Sequence, residues 1–213
     1  MNDKPTTSIL ADLRSAIPPH NITFAQAKRI AERQANRLLA LNGITTGPIP
    51  SGTIIGKLPR IRIVTDELPA SVSGTTHWSG THWIIVLNQA EPAVRQRFTL
   101  MHEFKHIIDH GRIEQLYTGN SRYTATEQAE RAADYFAACY LMPKRLLKAA
   151  WARGLQTSAR LAREFEVSTR AMEVRLSQTR INAVRDTGFR LPSYAMTHAR
   201  HAMTVRPLTT EGV

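Results

Sequence analysis

A chain of 213 residues with 42% hydrophobic content is long enough for one good core and at most a small appended module. A single cysteine, Cys139, excludes an intrachain disulfide, and no long apolar run follows Met1, so the chain reads as a reduced, cytoplasmic protein without a signal peptide or membrane span, not a secreted protease. The net charge of +11 is uneven: residues 144–213 hold thirteen of the 28 Lys and Arg but five of the 17 Asp and Glu, a basic third suited to steering an acidic partner.

Residues 1–52 read as an N-terminal helix and linker belonging to the main domain. Phe24 to about Leu41 is the helix, with Ile30, Ala31, Leu38 and Leu39 on its buried side and Asn42-Gly43 as its stop. Gly47 to Gly52 reads as a loop. The core, 53–156, opens with a strand at Ile61–Val64 and a hairpin of Gly74–Trp78 and Trp83–Asn88 turning near Ser79-Gly80, a small antiparallel sheet. An exposed strand edge there would hold an extended peptide by main-chain hydrogen bonds. Trp78, Trp83 and His77 are assigned to sheet packing in preference to a cleft.

Glu91-Pro92 marks the start of the next helix and His110-Gly111 its end. Val94, Phe98, Met101, Phe104 and Ile108 recur at three- and four-residue spacing, giving it an apolar face. Within it His102-Glu103-Phe104-Lys105-His106 reads HExxH. Two histidines four apart stand on one helical face about 6 Å apart along the axis, within reach of one zinc ion, and the intervening glutamate is placed to take a proton from water. His110, about 12 Å from His102 along the axis, reads as a helix-terminal group or a support to the site.

A further helix follows over Thr126–Met142, stopped by Pro143, with Ala129, Ala133, Phe136, Ala137 and Leu141 inward. It carries Glu130 and Asp134 one turn apart. A carboxylate from this helix completes a His₂Glu site, and Asp134 is suited to accept a hydrogen bond from a ligating histidine. Glu127, one turn earlier, competes with Glu130 on spacing alone. Tyr117, Tyr123 and His77 are candidates by residue type for stabilising an oxyanion.

Residues 157–180 resemble a helix-turn-helix, with Leu161, Ala162, Phe165, Val167, Met172 and Leu176 as its core, Ser168 capping the second helix, and Glu166 where glycine is common. As a DNA reader it would present Thr169, Arg170 and Glu173 to bases. The tail, 181–213, is expected to be basic and partly disordered.

The run from Arg97 through His102-Glu103-Phe104-Lys105-His106 to His110, followed by Glu130-Arg131-Ala132-Ala133-Asp134-Tyr135-Phe136 through Pro143, resembles the ImmA/IrrE family of zinc metallopeptidases. The resemblance implies an α+β, zincin-like fold, mostly helical, with its small antiparallel sheet ahead of the HExxH helix. It implies one Zn²⁺ per chain, with His102, His106 and Glu130 as ligands and Glu103 as the catalytic residue. It also implies limited cleavage of a helix-turn-helix repressor, in settings such as mobile elements and stress responses. Similar tails in that family favour packing 157–180 on the core over DNA binding. Phe104, Lys105 and Asp134 depart from the family pattern, and Lys105 is expected to place a positive charge near the site. The alternatives are a DNA-binding regulator and a toxin-antitoxin-type component with a structural or vestigial zinc site.

Overall fold

The computed structural model describes residues 8–181. Its elements in chain order are α1 (Ile9–Arg14), α2 (Phe24–Leu41), α3 (Ser51–Gly56), β1 (Ile61–Asp66), β2 (Gly74–Trp78), β3 (Trp83–Asn88), α4 (Ala93–Asp109), α5 (Ile113–Leu116), α6 (Ala125–Leu141), α7 (Lys144–Ala152), α8 (Ser158–Phe165) and α9 (Thr169–Thr179). The fold is α+β, with helices predominating around one small sheet. The expected tail lies outside the described residues, Ile181 excepted.

Most elements begin and end where local chemistry dictates. Thr23 and Gln26 form a capping box at the start of α2, and Gly43, at a φ of +64°, follows its Asn42 cap. Ile30, Ala31, Leu38 and Leu39 are buried as the periodicity requires. The expected loop ends early. Ser51 and Gly52 already belong to α3, whose Ser51, Ile54 and Ile55 are buried, so a boundary at 52 falls inside a short helix.

The sheet is mixed, which corrects the antiparallel expectation. Its order is β1-β3-β2, with β2 antiparallel to β3, as a hairpin must be, and β1 parallel to β3, pairing Ile61 with Trp83 through Asp66 with Asn88. Composition accounts for the order. The Trp-Ile-Ile-Val-Leu-Asn strand is the most apolar and takes the centre, whereas β1, exposed at Arg62 and from Val64 to Asp66, and β2, with Thr75 and His77, take the edges.

Beneath the sheet, α4 is buried on all sides from Thr99 to Asp109. The expected face holds at Met101, Phe104 and Ile108, but Leu100 and Ile107 are equally buried because the sheet, α6 and α1 all cover the helix. Gly74 permits a close approach: a Cβ there would lie 2.5 Å from Thr99 Cγ2 and 2.9 Å from Val86 O. At the other end Arg14 donates to the carbonyls of Ile107 and Ile108, at 2.7 and 3.1 Å, satisfying acceptors the helix terminus leaves open.

The α8–α9 pair has helix-turn-helix form and is joined to the core. Leu161, Phe165, Val167, Met172 and Leu176 belong to the main hydrophobic cluster. Glu166 adopts the left-handed conformation, φ +50°, that the turn demands, and Arg97 of α4 meets it there with an ion pair at 2.8 Å and a bond to its carbonyl at 2.7 Å. Arg97 also donates to Ile49 O at 2.7 Å. Buried Arg175 on α9 donates to Met142 O at 3.0 Å.

Candidate metal centre

Two helices build the site. On α4, one turn of helix separates His102 from His106, and their Nε2 atoms lie 3.0 Å apart. On α6, Glu130 reaches both: Oε2 is 3.2 Å from His102 Nε2 and Oε1 is 3.4 Å from His106 Nε2. Zinc held at about 2.05 Å by tetrahedral ligands would set its donors about 3.3 Å apart. The three observed separations match that spacing, and two imidazoles with one carboxylate are a donor set that zinc accepts. Among the described residues these three form the cluster able to hold a metal ion.

Asp134, one turn beyond Glu130, accepts a hydrogen bond from His102 Nδ1 at 2.9 Å. In the neutral imidazole that bond leaves the Nε2 lone pair directed at the cluster. Burial pulls the His102 pKa down, but hydrogen bonds to Asp134 and Glu130 and the charges of Asp134 and Glu103 outweigh it and push the value up to about 10. The pocket therefore favours a cation among its carboxylates. Glu103 is itself buried, close enough for its charge to act on His102.

Glu127 is engaged elsewhere. Its Oε2 accepts from the Thr124 backbone N–H at 2.8 Å and from Thr124 Oγ1 at 3.1 Å, while Thr124 Oγ1 accepts from the Glu127 N–H at 3.2 Å. This capping box starts α6. The structure thus brings Glu130, and not Glu127, against the histidines.

The remaining candidates are placed as follows. His110 caps α4, and its ring meets Trp83 edge-on at 4.8 Å; burial and then the charge of Arg14 lower its pKa. Tyr117 donates to Asp109 Oδ2 at 2.6 Å, and burial and that carboxylate raise its pKa well above the usual phenol value. The Tyr123 ring packs against the Arg131 guanidinium at 4.1 Å and Phe24 at 6.0 Å. His77 is exposed on β2.

Lys105 corrects the sequence reading. It is fully buried and forms an ion pair with Asp109 one turn later, so its charge is spent inside the protein and not offered to a peptide. Burial lowers its pKa, with Asp109 opposing the shift. The Lys105, Asp109 and Tyr117 network was missed from sequence, although the four-residue spacing of Lys105 and Asp109 is a recognisable signal.

A three-stranded sheet laid on an HExxH helix, with a carboxylate from a second helix facing both histidines, defines a zincin-like domain. Residues 59–177 match the Peptidase_M78 model, the IrrE N-terminal-like domain, and the chain belongs to this ImmA/IrrE family of metallopeptidase-like proteins. Among solved structures it resembles a Mycobacterium tuberculosis transcriptional regulator, with a TM-score of 0.58 and 18% identity over 79% of this chain. That likeness concerns the fold, and the chain spans about half (51%) of that regulator. No curated protein matches the sequence. Among the described residues no helix is long and apolar enough to cross a membrane.

Proposed function

We propose that the chain is a cytoplasmic, zinc-dependent endopeptidase that makes a limited cut in a regulatory protein, a helix-turn-helix transcriptional repressor. The observation that carries the reading is the convergence of His102 and His106 of α4, the helix that also presents Glu103, with Glu130 of α6, at separations of 3.4 Å or less. Zinc held by these three residues would supply Lewis acidity, polarising the scissile carbonyl and lowering the pKa of water at the site toward about 7.

The chain's own residues do the rest. Asp134 holds His102 in the tautomer that leaves Nε2 available. Glu103 accepts the proton of the attacking water as the new C–O bond forms, then delivers it to the amine nitrogen as the C–N bond breaks. Burial of Glu103 shields its carboxylate from bulk solvent. The DNA-reading alternative has less support. Arg170, at the start of α9, lies 3.6 Å from Glu173, and α9 is tied inward through Arg175.

The test is cleavage of a co-purified helix-turn-helix repressor from the same genomic neighbourhood. Wild type should cut at one site and stop when a chelator is added, and Glu103→Gln should keep its metal while losing about 100-fold or more in rate. Cleavage by Glu103→Gln at the wild-type rate would remove Glu103 from the mechanism, and chelator-resistant cleavage would remove the metal.

A further inference from the structure

The face of α4 that meets the sheet is fixed by a contact at each end. Gly74 abuts Thr99 at one, and Trp83 meets His110 at the other. At 100° per residue, Thr99, Glu103, His106 and His110 fall within an arc of about 60°, one stripe along the helix. Side chains alternate along β2, so Gly74, Thr76 and Trp78 face this stripe and Thr75 and His77 face away. Trp78 pairs in register with Trp83 and packs on it at 5.4 Å, with ring planes inclined by 56°. Trp78, Trp83 and His110 therefore form an aromatic wall that begins one helical turn past His106.

Trp78 is 44% exposed, and it lies on the terminal strand of the sheet. Among the described residues no strand pairs with the outer edge of β2. An indole left open on a free strand edge is an aggregation liability unless something covers it. The wall is continuous with the catalytic stripe, and the free edge offers main-chain groups to an extended peptide.

We infer that Trp78, backed by Trp83 and His110, selects the substrate side chain: a peptide extended along the outer edge of β2 seats an aromatic or large aliphatic residue on the indole, next to the bond to be cut. This rests on the peptidase reading above and adds a substrate class to it, a cleavage site flanked by a large apolar residue.

Binding of the hydroxamates of N-acetylphenylalanine, N-acetylalanine and N-acetylaspartate to the zinc-loaded full chain, measured by calorimetry, tests it without turnover. The phenylalanine probe should bind about tenfold more tightly than the alanine probe. Trp78→Ser should abolish that preference and Trp78→Phe should keep it. Val64→Ser should also keep it, since Val64 is similarly exposed (43%) but lies on β1 at the opposite edge. Equal affinities in the wild type, or a preference surviving in Trp78→Ser, would overturn the inference and leave the metal site intact. Failure of all three probes to bind would overturn the peptidase reading and this inference with it. Self-association of wild type that Trp78→Ser abolishes would assign the wall to a second copy of the chain and overturn the proposal.

Discussion

Replacing Asp109 by alanine should destabilise the protein more than most single changes, and the structure supplies the reason. The Lys105 side chain is fully buried and Asp109 nearly so, the two are ion-paired, and Tyr117 donates its hydroxyl to the second carboxylate oxygen at 2.6 Å. Asp109→Ala strands a buried ammonium, which costs about 3–5 kcal/mol when a buried pair is broken from one side. It also orphans the Tyr117 hydroxyl, worth about 1–3 kcal/mol, though the two penalties overlap. A net loss of at least about 3 kcal/mol is expected, a large share of the roughly 5–15 kcal/mol by which such domains are stable. Lys105→Met combined with Asp109→Asn removes both charges, keeps an acceptor for Tyr117 and preserves volume, so it should lie within about 1 kcal/mol of wild type. Urea unfolding followed by circular dichroism reads all three proteins. An Asp109→Ala variant within about 0.5 kcal/mol of wild type would show that water reaches Lys105 and would refute the buried-pair argument.

The other expectations concern the metal and the alkaline limit. In competition with a chelator, Glu130→Ala should lose zinc most severely and Asp134→Ala by about 10–100-fold, whereas Glu127→Ala should keep zinc and lose about 0.5–2 kcal/mol of stability through the α6 cap; a Glu127 variant that loses zinc would mean α6 is rotated from its observed setting. Burial pushes the Cys139 thiol up to about 11 and Tyr135 up to about 12, so above pH 9 the folded chain holds protons that the unfolded chain releases. Stability is then fully present below about pH 9 and falls as pH rises through 11. Denaturation midpoints that stay level from pH 9 to 11 would contradict this.

What could be read from sequence was what local chemistry determines. The α2 stop at Asn42-Gly43, the α4 limits at Pro92 and His110, and the α8–α9 turn core all follow from caps and periodicity. The choice between Glu130 and Glu127 was open on helical spacing, yet Thr124-x-x-Glu127 is itself a capping-box signature that would have committed Glu127 to the helix start. The parallel direction of the β1–β3 pairing was out of reach, because it depends on how the chain between those strands crosses the packed molecule and not on the composition of either strand. Lys105 was misplaced for a related reason: a lysine is taken as exposed until its partner and the layers around it are known.

Metal content of the purified chain tests the central claim most directly. Wild type should carry about one zinc per chain, and His102→Ala and His106→Ala should each carry almost none, because removing one of three protein ligands leaves too few donors. Full zinc occupancy in both variants, or a wild type that takes up no zinc, would contradict the site built from His102, His106 and Glu130.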